Sequence, residues 1–484
     1  MIWKIARKEF KEIWRDGRFR FVGAIVSLLL LATLLIGWQH YRQISAERNT
    51  ARQFDEQQWL AQGERNPHTA AHFGKYAFKP QTPVSFLDNG VNSYLGVAIW
   101  LEAHYQNPFR FRPVEDATVV QRFGELTAAV VLQLLIPLLI ILLTFSTFAG
   151  ERESGTLRQL LSLGVDRKIL GLGKAMGVSG ALLILLIPAA IIGVAALALA
   201  ATGTSGDGLA ASAGRFAVMV AAYSLYFIAI LAVSLAGSAH FKTARTAMLV
   251  LFAFWIFNGL LAPRAIADSA QTAYRAPSQN EFWDNVRRDK SEGIDGHNPQ
   301  DDRTEEVKKQ LLVQFKVEKT EDLPINYAGW YMLQDEEYGN RVFDKRYGEL
   351  WGIYERQNRI NDFGTLLAPL LGVRSISMSM AGTDFAHHRH FAAEAEEFRR
   401  VLNKALNEDL MINGVGKNDW DSGANRENYI ADEKLWKNSP QFRYELPSTG
   451  WALTTQILPL ALLALWASVA SGLAWFAIGR MRLE

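Results

Sequence analysis

Six blocks of this 484-residue chain are apolar over roughly the length that a membrane-crossing helix requires, and that restricts the fold more than any other feature. They run from Phe21 to Trp38, Leu126 to Phe148, Ala175 to Ala201, Phe216 to Gly237, Thr246 to Ala262 and Trp451 to Ile478, and none contains Asp, Glu, Lys, Arg or His. About 20 residues of helix cross a hydrocarbon core about 30 Å thick, and a soluble core helix rarely runs so far without a charge. The expected fold class is an all-α membrane protein with six transmembrane helices, the fifth block being the shortest. A mean hydropathy of +0.00 averages these blocks with very polar segments and does not indicate a soluble chain. The first block is long and lacks a small-residue cleavage site, so it is expected to remain as a signal anchor. With no cysteine in the sequence, disulfide bracing, thiolate metal sites and cysteine nucleophiles are excluded.

Lys and Arg in short loops mark the side of the membrane that is not translocated. Lys4, Arg7, Lys8, Lys11, Arg15, Arg18 and Arg20 precede the first block, and Arg152, Arg158, Arg167, Lys168 and Lys174 lie between the second and third. Lys242 and Arg245 separate the fourth and fifth, and Arg480 and Arg482 follow the sixth, whereas Thr202 to Gly214 carries none. Both termini are therefore expected in the cytoplasm of a bacterial-type cytoplasmic (inner) membrane. The resulting organisation is a cytoplasmic amphipathic helix at 1–20, spans at 21–38 and 126–148, a cytoplasmic loop at 149–174, three spans within 175–262, a span at 451–478 and a cytoplasmic tail at 479–484. Two large insertions, 39–125 and 263–450, fall outside the cytoplasm. Both are rich in Trp and Tyr with apolar residues at helical spacing, so they are expected to be folded and mostly helical. In the second, Phe398, Val401, Leu402, Ala405, Leu406 and Leu410 recur on one helical face. Gly364 to Gly382 is apolar but interrupted by Pro369 and Arg374, which suits a buried or interfacial helix better than a seventh span.

The N-terminal helix places Trp3, Ala6, Phe10, Ile13 and Trp14 on one side and bases on the other, the pattern of a helix lying on the inner membrane surface. The polar stretch "AGERESGTLRQLLSLGVDRKILGLGK" (149–174) is wedged between two spans. Leu157, Leu160 and Leu161 recur at i, i+3 and i+4 opposite Arg158, Gln159 and Ser162, which describes a short amphipathic helix. Gly164 is placed to stop it and Asp166 to cap the next helix. The physics alone gives a cytoplasmic helical elbow.

Gly150-Glu151-Arg152-Glu153-x-Gly155-Thr156-Leu157, followed by Leu160-Leu161, Arg167 and Gly173-Lys174, resembles the cytoplasmic loop of ABC-2 type permeases, the membrane subunits of ATP-binding-cassette exporters. The resemblance implies a coupling helix that docks on a separate ATPase, with Glu151, Glu153, Gly155, Thr156, Leu157, Leu160, Leu161, Arg167 and Lys174 as the coupling residues. A proline that the family often carries is replaced here by glycine near Ser162 to Gly164. "MAGTDFAHHRHFAAEAEEFRRVLNKALNEDL" is similar to a permease subgroup with two large extracytoplasmic loops, although Thr383 or Asp384 as a helix N-cap explains the "AGTD" tetrapeptide without chemistry. The implied partners are a cytoplasmic ABC ATPase dimer, a second permease copy or paralogue, the lipid membrane and a possible periplasmic protein. No nucleic acid is expected. ATP and Mg belong to the partner, and no cofactor is expected in this chain: a phosphate loop reads G-x-x-x-x-G-K-[ST], and the nearest stretch has Lys168 at the first position and Ala175 at the last. Spans free of ionisable residues also argue against a proton- or ion-coupled carrier.

The expected function is ATP-driven export or extraction of a substrate. Two alternatives remain open: a mechanotransmission subunit that moves the extracytoplasmic domains without passing substrate, and a docking subunit for a periplasmic assembly. Within the spans Gln133, Tyr223, Tyr226, Asn258 and Gln456 are candidates for the pathway or dimer seam, with interhelical hydrogen bonding as the plainer explanation. Pro137 and Pro188 are expected to kink their helices. No metal is expected. The weak candidate is His387, His390 and Glu394 on one helical face, a donor set suited to zinc or copper(II), and the pairs His68 with His72 and His240 with Lys242 are weaker. Glu336, Glu337 and Asp344 read as a solvated helix face rather than catalytic carboxylates, so the chain is not expected to be an enzyme.

Overall fold

The computed structural model describes residues 1–112, 115, 126–201, 208–415 and 429–481. The end of the 39–125 insertion, residues 202–207 of the Thr202 to Gly214 loop, and Arg482 lie outside the described residues. Helix α1 (Ile2–Arg15) is separated from α2 (Gly17–Leu60) by Asp16, whose extended backbone breaks the helix and whose side chain caps α2 through Arg18 N at 2.8 Å. At 44 residues α2 is about 66 Å long, so it does not stop at Trp38 but continues into the polar module. The residues beyond Trp38 contain no Gly or Pro until after Leu60, and nothing in them ends a helix.

Helix α3 (Pro67–Phe73) leads into a three-stranded antiparallel sheet, β1 (Lys75–Phe78), β2 (Ala98–Glu102) and β3 (Tyr105–Arg110), with Phe78 opposite Ala98 and Glu102 opposite Tyr105. Strands this short leave little alternation to read, and the sheet is absent from the sequence-based expectation. Five more helices follow: α4 (Ala128–Glu153), α5 (Thr156–Ser162), α6 (Arg167–Ala201), α7 (Leu209–His240) and α8 (Ala244–Ala273). The module then adds α9 (Gln279–Glu292), α10 (Gln300–Phe315), α11 (Tyr327–Gly364), α12 (Pro369–Ala381), α13 (Phe385–Asn413) and α14 (Glu433–Asn438), before α15 (Thr449–Thr455) and α16 (Ile457–Gly479) close the chain. Six of these helices, α2, α4, α6, α7, α8 and α16, are long and apolar enough to cross a membrane, and the chain is an all-α membrane protein in class.

One large apolar core runs through the spans, with α4 the most enclosed and α7 packed along α16. Helix α1 lies on α6 where Gly173 and Gly177 allow close approach, since a Cβ would fall 2.6 Å from Ile5 and 2.7 Å from Glu9. The face of α1 buried there is Ala6, Glu9 and Ile13, while Trp3 and Trp14 remain exposed. Two of the spans contain a π-helical turn, at Val131–Leu135 and Phe257–Leu261, each just ahead of a proline. Pro137 offers no N–H to the Gln133 carbonyl, which accepts instead from the Tyr226 hydroxyl at 3.1 Å. Helix α12 has 13 residues and is about 20 Å long, too short to span. Its Leu370, Val373, Ile376 and Met380 are buried between α7 and α16, so the ambiguous Gly364 to Gly382 stretch contains a short helix buried in the bundle. The module has its own cores, including Trp59 with Trp436, Leu402 and Leu406. On α13 Val401 is exposed, and the buried face instead includes Arg399, Asn403 and Asn407.

Candidate functional site

The elbow between α4 and α6 is built on two glycines with positive φ, Gly155 at +75° and Gly164 at +80°, which turn the chain into and out of α5. Asp166 Oδ1 accepts from the backbone of Lys168 at 2.9 Å and Ile169 at 3.0 Å, capping α6. Most of the anticipated coupling residues hold this elbow to its own protomer. Lys174 Nζ donates to Glu9 and to Glu151, both at 2.9 Å, joining α1, α4 and α6. Glu153 Oε1 accepts from Ala244 N at 3.2 Å, and Arg167 donates to the Gly479 carbonyl at 3.2 Å. Leu157 is 1% exposed and belongs to the core of the spans, with Leu160 and Leu161 partly buried against it. The apolar stripe of α5 therefore faces inward, and the expectation that it fills a partner's groove does not fit this arrangement. The open surface consists of Glu153, Ser154, Gly155, Arg158, Gln159, Ser162, Leu163 and Gly164, with Thr156 at its edge. Leu163, absent from the sequence-based set, is 80% exposed.

The elbow is fastened to one end of α7. Ser238 Oγ accepts from Phe148 N at 2.9 Å, and Arg152 donates to the carbonyls of Phe241 and Ala239. At 32 residues α7 is about 48 Å long, and its other end meets the polar module. There Arg215, fully buried, donates to the carbonyls of Pro447 and Ser379 and lies 3.4 Å from His387 Nε2. The module-side contacts converge on the junction of α12 and α13: Gly382 turns the chain at φ +69°, and Asp384 caps α13 through His387 N at 3.0 Å.

The five polar residues assigned to a pathway or dimer seam are all buried around α12, four of them in one hydrogen-bonded network and Gln456 in a separate contact. Gln133 Nε2 donates to Tyr223 Oη at 3.1 Å, which in turn contacts Ser377 Oγ at 3.1 Å. Asn258 Nδ2 donates to Tyr226 Oη at 3.0 Å, while its Oδ1 accepts from Leu370 N at 3.1 Å and so caps the start of α12. Gln456 Oε1 accepts from Ser375 Oγ at 2.8 Å. Arg374 and Asp88, which the sequence did not place here, reach Gln133 Oε1 at 3.3 Å and Ser377 Oγ at 2.6 Å. The blocks as drawn from the sequence are free of charge, but the folded bundle brings Lys174, Arg215 and Arg374 into its interior or its edge.

His387, His390 and Glu394 do not assemble a metal site. His387 Nδ1 contacts Asp384 at 2.5 Å, His390 Nδ1 contacts Tyr444 Oη at 3.0 Å, and Glu394 is exposed. Glu336 pairs with Arg399 and Asp344 with Arg400, and Glu337 is exposed. Among the described residues the cluster with metal-ligand spacing is His68, His72 and His104.

Residues 102–275 match the family described as ABC-2 family transporter protein, and residues 279–445 match a family described as a domain of unknown function, DUF3526. No curated protein matches the chain. The first match contains the elbow and all of α4, α6, α7 and α8, and the second covers the module from α9 to α14. With six helices able to cross a membrane and this match over four of them, the chain carries an ABC-2 type permease domain and is a multi-pass membrane component of an ABC transporter, a family that implies an ATP-binding partner subunit.

Proposed function

We propose that this permease docks a cytoplasmic ABC ATPase dimer on the exposed side of the elbow and couples ATP hydrolysis there to displacement of the extracytoplasmic module, driving export or extraction of a substrate. The observation that carries this reading is the continuous anchoring along α7. One end is locked to the elbow through Ser238, Ala239 and Phe241, and the other to the α12–α13 junction through Arg215. A helix fixed at both ends moves its two attachments together. The Lys and Arg distribution supports the elbow, both termini and α1 on the cytoplasmic side of an inner membrane. Exposed Trp3 and Trp14 on α1 suit contact with lipid. Six spans are few for a pathway, so two copies, or one copy and a paralogue, are expected to assemble.

A second reading, mechanotransmission without passage of substrate, is favoured by one observation. The polar residues that would line a pathway are spent on holding α12 inside the bundle. In both readings the ATPase meets the same surface. Because the chain has no cysteine, Leu163→Cys provides a unique attachment point for a photoreactive maleimide. Cross-linking of the ATPase from position 163, and not from Ile412→Cys on α13, is the expected result. Cross-linking from position 412 alone, or from neither, would remove the docking assignment.

A further inference from the structure

Three histidines of the module take no part in the coupling described above. His68 and His72 stand one turn apart on one face of α3, which is capped by Asn66 and packed through Ala70 and Ala71 against Leu402 and Leu406 of α13. His104 lies in the β2–β3 turn at φ +67°, a left-handed conformation that few residues other than glycine, asparagine, aspartate and histidine adopt. Its backbone is clamped on both sides: the N–H donates to Glu336 Oε1 at 2.6 Å and the carbonyl accepts from Lys290 Nζ at 2.8 Å. These two elements bring one ring nitrogen of each histidine within 4.8 Å of the others. The ring centroids are 4.8, 5.0 and 5.1 Å apart.

The rings are oriented from behind. His68 Nδ1 lies 3.1 Å from Asn407 Oδ1, and His104 Nδ1 lies 3.0 Å from Glu336 Oε1, with Asp335 at 3.6 Å. When Nδ1–H of His68 is directed at Asn407, its Nε2 keeps its lone pair for a ligand, the arrangement that fixes tautomer and basicity in histidine metal sites, whereas His104 Nδ1, buried beside Glu336, makes no hydrogen bond among the described residues.

We propose that His68, His72 and His104 bind a divalent ion of the zinc class through three imidazole nitrogens, with a fourth position open to water or an exchangeable ligand. Imidazole donors select zinc-like ions over calcium or magnesium, which prefer all-oxygen shells. Nitrogens 2.0–2.1 Å from a tetrahedral zinc are about 3.3 Å apart, so binding draws the trio in by about 1.5 Å. His72 is exposed on a seven-residue helix and is the member placed to move. Its position at the surface also makes the site loadable from the solvent side of the module. Through Glu336 and its ion pair with Arg399, an ion held here is connected to α11 and α13.

The test uses the full chain in lipid nanodiscs, without a histidine tag, stripped with chelator and titrated with Zn²⁺ against a chromophoric competitor, and separately with Co²⁺. The expected result is one tight ion per chain and the intense ligand-field absorption of tetrahedral Co²⁺. His72→Ala is expected to weaken zinc binding at least tenfold while leaving the fold intact, and His72→Cys, which supplies another zinc donor, to restore it. His297→Ala, at an exposed histidine elsewhere in the module, is expected to change nothing. Glu336→Gln should weaken binding by about 10- to 100-fold, as loss of an orienting partner does. A wild-type chain that takes up no zinc, or a His72→Ala chain that binds it as tightly as wild type, overturns the proposal.

Discussion

Leu163→Asp is the most informative single change at the elbow. The side chain is 80% exposed, so its replacement leaves the protomer's own packing untouched, and stability should change by no more than about 0.5 kcal/mol. At a docked interface nearly all of that leucine is available for burial, which contributes roughly 1.5–3 kcal/mol. Taking about 2 kcal/mol as lost, before any cost of desolvating the new carboxylate, the ATPase should bind about 30-fold more weakly. Leu157→Asp is the contrasting variant. It places a carboxylate at a position that is 1% exposed within the core of the spans, and should prevent stable folding rather than selectively lose the partner. The assay is biolayer interferometry of the ATPase against nanodisc-embedded permease, with thermal unfolding measured on the same samples. A folded Leu163→Asp chain that binds the ATPase within threefold of wild type would refute the assignment of this face.

Arg215→Met removes the donor to the Pro447 and Ser379 carbonyls, and each hydrogen bond to a charged group contributes about 1.5–3 kcal/mol. Amide exchange over residues 379–390 should accelerate while ATPase binding stays unchanged. Unaltered exchange would show that Arg215 does not secure the junction. Asn258→Leu and Tyr226→Phe should each destabilise the bundle, with a coupling of about 0.6–1.7 kcal/mol in a double-mutant cycle, and a coupling near zero would remove their hydrogen bond from the account. Burial pushes the Asp362 carboxyl up to about 6, against the lowering influence of Ser375 and Arg359. Because this folded value lies above the unfolded one of about 3.9, the native state gains stability as pH falls from about 7 toward 5. Asp362→Asn should flatten that part of the melting profile, and an identical pH dependence in the variant would sink the argument.

The spans were legible because an apolar run of about 20 residues has few other uses. Their ends were not. Helix α2 continues past Trp38 through polar helix formers that carry no stop signal, and α8 continues past Ala262 because a π-helical turn accommodates Pro263. Arg215 stands one residue before the apolar block that begins at Phe216, so a hydropathy boundary drawn there hides it. The i, i+3, i+4 leucines of α5 correctly announced an amphipathic helix. Which face is covered depends on how α5 sits against α4 and α6, and local periodicity is silent on that. The histidine trio illustrates the same limit: His68 and His72 were visible as an i, i+4 pair, but His104 joins them only through the sheet and the clamp from Glu336. On α13 Asp384 was readable as a cap, whereas the buried Arg399 was not, because its burial is made possible by Glu336 and Glu396 on two different helices.

The central claim is that motion at the elbow reaches the module through α7. Hydrogen–deuterium exchange of the permease–ATPase complex in nanodiscs, with and without nucleotide trapped by vanadate, tests it most directly. The account predicts that trapping alters exchange both at residues 154–164 and at the α12–α13 junction, residues 382–390. A change confined to the elbow, with the junction exchanging identically in the two states, would contradict it.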